Sequence, residues 1–146
     1  MGPIRAMFLP GAVLPAQPAY GALIEALGPD VDAAAKDLEL YAGEDPPPGW
    51  SPDTEIEGVL READARGWET FHLAGYSGGG AASLAFAARR PERLLNLSLL
   101  EPAWAGTWDW STPPLRSPHR IEPERLAGLL REHWDRAESK RHADLR

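Results

Sequence analysis

Gly75-Tyr76-Ser77-Gly78-Gly79 is the stretch of this chain whose residue types and spacing point most directly to covalent chemistry. It fits G-x-S-x-G, with an apolar run before it and a small-residue helical run after it. A serine hydroxyl is a weak nucleophile unless a base takes its proton and the backbone presents it to the substrate. A sharp, strained strand-to-helix turn with the serine at positive φ does the presenting. Only small residues fit two positions to either side, which Gly75 and Gly79 supply. The same turn aims the following N–H groups, that of Gly78 first, at a developing oxyanion. A phosphate-binding glycine loop is the competing reading, because it too joins a strand to a helix N-terminus. No Lys follows as in a P-loop, and no G-x-G-x-x-G can be laid on these residues.

Such a turn needs a strand and a helix to hold it, and the periodicities supply both. Residues 4–9 form a short apolar run ending at Pro10-Gly11, which predicts a buried strand. A helix is expected after Pro18, with Tyr20, Leu23, Ile24 and Leu27 on one face and Gly28 as its stop. Residues 37–42 alternate, with Leu38, Leu40 and Ala42 on one side, and predict a second strand with one wet face. The Pro46-Pro47-Pro48-Gly49 run is a loop. A helix follows it: Ser51 as N-cap, Pro52 at the first position, Asp53 and Glu55 at the positive end of the dipole, and Ile56, Val59, Leu60 and Ala63 as the buried stripe up to Gly67. Residues 70–74 predict a third strand, 78–90 a helix, and 94–100 a fourth strand.

The β-α-β-α-β-α-β order implies an α/β fold, a parallel sheet of about four strands with helices on both faces. Right-handed crossovers give the spatial order 2-1-3-4. Beyond Glu101 the pattern changes. Residues 105–122 are rich in Trp and Pro and show no readable strand. A last helix is expected over 123–140, with Leu126, Leu129, Leu130, Trp134 and Ala137 as its apolar face. The whole chain reads as a single domain with residues 1–104 as its core.

These motifs together resemble the α/β-hydrolase family. Residues 4–11 look like the family's third strand and oxyanion turn, 75–80 like the elbow after the fifth strand, and 94–102 like the sixth strand. The resemblance implies a serine hydrolase with Ser77 as nucleophile, and the backbone N–H groups of Gly78 and Ala12 as the oxyanion hole. The chain has Pro10-Gly11 where the family more often has His-Gly, so an ordinary strand-ending turn is the other reading there. Glu101 closes the sixth-strand equivalent on the sheet edge that carries Ser77, which makes it the expected triad acid. A plain loop carboxylate beside Pro102 is its alternative, and Asp109 is a weaker choice. His119 is the expected base, although it stands nearer the last helix than the family's histidine does and could belong to the approach to that helix. His72, within a strand, and His133, on the last helix, read as structural residues.

The expected substrate is a small ester or related acyl compound, and the resemblance implies no metal and no organic cofactor. Trp104, Trp108 and Trp110 could wall an apolar pocket or cover exposed core. Between Ser111 and Pro118 the chain passes directly to the last helix where the family has a cap, two more strands and its histidine. An internal deletion, a spliced reading frame and a shortened natural paralogue would each produce this. With those strands missing, residues 94–100 would end the sheet unprotected. The rival expectation is therefore a non-catalytic remnant that forms a homodimer through this edge.

Composition narrows the partners. A net charge of −7 across 146 residues argues against nucleic acid and anionic membrane as partners. The basic residues near the C-terminus are interrupted by Asp135, Glu138 and Asp144. No cysteine is present, and the four histidines are far apart, which excludes disulfides and a Cys-based site and disfavours zinc. The apolar stretch 6–16 is short and broken by Pro10, Gly11 and Pro15, and Ala6 stands where myristoylation needs Ser or Thr. The expectation is a cytoplasmic protein.

Overall fold

The computed structural model describes residues 2–103 and 123–144. Four strands, β1 (Ile4–Leu9), β2 (Val31–Ala35), β3 (Phe71–Ser77) and β4 (Leu94–Pro102), form one parallel sheet in the order β2-β1-β3-β4. Among the described residues four helices accompany them: α1 (Ala16–Leu27), α2 (Pro52–Ala65), α3 (Gly78–Arg89) and α4 (Pro123–Asp144). The expected class and strand order agree with this sheet.

Side chains alternate across the strands, so each face of the sheet gathers its own core. Ala6 and Phe8 of β1 and Ala74 of β3 join Tyr20, Leu23 and Leu27 of α1 and Leu126, Leu130 and Trp134 of α4. Met7, Leu9 and Leu73 point the other way, to Ile56, Val59 and Ala63 of α2 and Phe86 of α3. Fully burying such a side chain stabilises by roughly 1.5–3 kcal/mol. An exposed ion pair such as Arg89–Asp53 contributes only about 0–1 kcal/mol, so the two apolar clusters decide the fold.

The second strand differs from expectation. It is Val31–Ala35, paired with β1 from Ile4↔Val31 to Phe8↔Ala35, and residues 37–42 are a connection containing a 3-10 turn at Glu39–Tyr41. Leu38 and Leu40 are apolar because they pack onto the α2 side of the sheet, not because they alternate along a strand. α1 begins at Ala16, before Pro18. Proline is tolerated there because the first-turn N–H groups have no intrahelical partner in any case. Ser51 caps α2 as expected, and its N–H donates to Thr54 Oγ1 at 3.1 Å. α4 runs four residues past the expected end at 140, to Asp144. On α4, Leu129 is 57% exposed and so lies off the buried face expected to include it, and His133, expected to be structural, is exposed. No described helix is long and apolar enough to cross a membrane.

Candidate active site

β3 ends at Ser77 and α3 begins at Gly78 with no intervening loop. Ser77 takes up the whole change of direction at φ 52, ψ −116, a conformation that side-chain-bearing residues rarely adopt. The neighbouring glycines make it achievable. A Cβ on Gly75 would lie 2.3 Å from Gly79 O and 2.4 Å from Ser83 Oγ, and one on Gly79 would lie 2.4 Å from Leu9 O. Ser83, fully buried, holds this turn by donating to Gly79 O at 2.7 Å. The free N–H groups of the first turn of α3, with the positive end of its dipole, begin at the serine.

The end of β1 stands beside the elbow. Leu9 is the register partner of Gly75. A Cβ on Gly11 would lie 3.1 Å from Tyr76 Cδ1 and 3.2 Å from Ser77 Cβ. The turn that carries Ala12 therefore starts against the serine, and Ala12 itself is exposed. On the other side, β4 is out of step by one residue. Tyr76 pairs with Leu100 and Ser77 with Pro102, so Glu101 is the extra residue of a bulge, with φ 44. Bulges of this kind re-aim a side chain next to a site. Ala103 N–H donates to Ser77 O at 2.8 Å, and Gly80 packs against Pro102 too tightly to accept a Cβ (2.8 Å). Glu101 is half-buried, and its carboxylate makes no hydrogen bond or ion pair among the described residues. Ser77, Gly78, Glu101 and the Ala12 turn thus share the C-terminal edge of the sheet. His119, Asp109 and the three tryptophans at 104, 108 and 110 lie outside the described residues.

No protein-family model matches the sequence, and no curated protein matches it. Solved structures do match. A carboxylesterase from Bacillus subtilis superimposes with a TM-score of 0.60 at 26% identity, over 70% of this chain and 36% of its own. The naproxen esterase of the same organism gives 0.60 at 25% identity, over 69% of this chain and 36% of its own. A thermophilic esterase from Thermogutta terrifontis gives 0.63 at 22% identity, over 76% and 41%. This chain is built on part of the α/β-hydrolase fold. It spans about two fifths of the length of such α/β-hydrolases, 36% to 41% in these three.

Within the α/β-hydrolase frame, His72 lies in β3 away from the elbow. It is 1% exposed, stacks on Trp134 of α4 at 5.2 Å, and its Nε2 lies 3.2 Å from Glu138 Oε1. Burial pushes this imidazole below its ordinary pKa, against the opposing pull of Glu138. Among the described residues no group of three or more His, Asp or Glu could hold a metal ion. The segment 36–40 also touches the elbow, which sequence reasoning misses. Leu38 Cδ1 lies 3.8 Å from where a Cβ on Gly78 would be. The leucines that fold this segment onto the core have the spacing of a strand, and that spacing hides their role.

Proposed function

We propose that the chain is a serine hydrolase acting on small carboxylic esters or related acyl compounds, with Ser77 as nucleophile. The observation that carries this reading is the φ of 52 at Ser77, between β3 and α3, with Gly75 and Gly79 two positions to either side admitting no side chain. A strained non-glycine residue at a strand-to-helix junction has a cost that a mere connection does not require. In this reading Ser77 Oγ attacks the acyl carbon and gives its proton to a base. The carbonyl oxygen becomes an oxyanion held by the N–H groups of Gly78 and Ala12. Collapse expels the alcohol, which takes the proton from the base, and leaves an acyl-serine. Water, deprotonated by the same base, then releases the acid. Glu101 is the proposed acid that orients the base, and His119 the proposed base. The likeness to esterases supports the reaction class, not a particular substrate.

The test is hydrolysis of p-nitrophenyl acetate together with fluorophosphonate labelling. A site with an incomplete triad retains roughly 10³–10⁴-fold acceleration over water from its oxyanion hole and binding. If His119 does not reach Ser77, the expected result is weak turnover and slow labelling, both lost in Ser77→Ala and little changed in His119→Ala. Equal turnover in wild type and Ser77→Ala would sink the reading. A fast reaction that fails in His119→Ala would establish a complete triad instead.

A second reading, a non-catalytic module that dimerises, is favoured by one observation. β4 pairs with β3 and with no other described strand, and it carries no charge from Leu94 to Leu100. Charged residues are a common protection of such edges. An inert protein whose sedimentation shows a dimer that Leu99→Lys dissociates would support it. A monomer at all concentrations would rule it out.

A further inference from the structure

We infer that Glu55 is a positioning residue for the oxyanion hole, acting through the segment 36–40; this rests on the hydrolase reading above. Glu55 stands in the first turn of α2 but is 3% exposed, a burial that a carboxylate tolerates only when its oxygens are satisfied. Here Oε2 accepts from the N–H of Glu39 at 2.9 Å. Oε1 accepts from the N–H of Leu40 and from Trp50 Nε1, each at 2.9 Å. One carboxylate thus fixes the backbone at two consecutive residues and pins the far end of the same loop. Charge-assisted bonds of this kind are the stronger ones.

The residues just before those donors reach both halves of the proposed hole. Lys36 N–H donates to Phe8 O at 3.0 Å, next to the end of β1. Asp37 Oδ1 accepts from Ala16 N–H at 2.7 Å, fixing the start of α1, four residues after Ala12. Leu38, 4% exposed, lies against Gly78. Three successive residues therefore tie the Ala12 turn and the Gly78 turn to a common strut, and Glu55 anchors the end of that strut. Gly58 lets it sit close, since a Cβ there would lie 2.4 Å from Glu39 Oε1. Two N–H donors from separate loops bind an oxyanion well only if their separation is held, and displacement of about 1 Å can cost up to a hundredfold in rate.

Glu55→Ala, Glu55→Gln and Val59→Ala are compared for p-nitrophenyl acetate hydrolysis. Val59→Ala truncates a buried residue on the same helix and serves as the stability control. The expected result for Glu55→Ala is a fall in kcat of about ten- to a hundredfold with KM changed little. Glu55→Gln, which keeps an acceptor oxygen, recovers part of the loss, and Val59→Ala keeps the wild-type kcat despite a lower Tm. An unchanged kcat in Glu55→Ala, or an equal fall in Val59→Ala, overturns the inference. The amide resonances of Ala12 and Gly78 provide a second readout that needs no turnover. Both are expected to shift in Glu55→Ala and to stay in place in Val59→Ala, and unmoved resonances overturn the inference. Failure of Ser77 to label in the wild type overturns the hydrolase reading alone, and the resonances still decide the role of Glu55.

Discussion

The glycines of this chain divide into those the elbow needs and those it does not, and the two kinds predict opposite mutational effects. Gly75→Ala forces a methyl group into Gly79 O and Ser83 Oγ, both fixed by the turn itself, so relief requires moving the elbow. We expect a loss of about 3 kcal/mol, seen in denaturant unfolding. Gly128, exposed within α4, has open space where a methyl group would stand and needs no such freedom. Gly128→Ala is expected to stabilise by about 0.5–1 kcal/mol, a rise in Tm of about 2–4 °C. This contrast explains why Ser77 is legible in the sequence. A steric demand at the turn writes itself as small residues at fixed offsets. The role proposed for Glu55 is not legible, because a carboxylate in the first turn of a helix has the same appearance whether it favours the dipole or grips a distant loop.

At the scale of elements, the packing of α4 on β3 carries a pH dependence. His72 and Trp134 are buried against each other, and His72 Nδ1 and Trp134 Nε1 have no hydrogen-bond partner among the described residues. Desolvation depresses the pKa of His72, with His133 opposing the proton and Glu138 and Asp135 favouring it. A group whose folded pKa is depressed lends its full stability above the unfolded pKa and loses it as pH falls through the folded value. The Tm of the protein is therefore expected to drop as pH is lowered from about 6.5, and His72→Gln is expected to reduce that slope. An equal slope in both proteins would show that another group titrates. Strands and helices whose apolar residues are large, such as β1, α2 and β3, can be placed from periodicity. β2 cannot. Of its three alanines Ala34 is buried and Ala33 and Ala35 are half-buried, and such small side chains give almost no hydrophobic signal, while Leu38 and Leu40 nearby imitate a strand.

Over the whole molecule, topology is the most legible property. Alternating strands and helices with right-handed crossovers leave few arrangements, and the observed order β2-β1-β3-β4 is one of them. The Glu101 bulge is not legible, since a register shift depends on both strands and leaves no mark on either one. The two faces of the sheet also differ in when their residues arrive. Among the described residues, the cluster under α2 and α3 draws on nothing beyond Leu97, whereas the opposite cluster needs Leu126, Ala127, Leu130 and Trp134 to cover Phe8, Tyr20 and Ala74. A ribosome making this chain can thus finish one side while the other is still open. At roughly 5–20 residues per second, Phe8 and its neighbours face water and chaperones for seconds before α4 emerges to cover them.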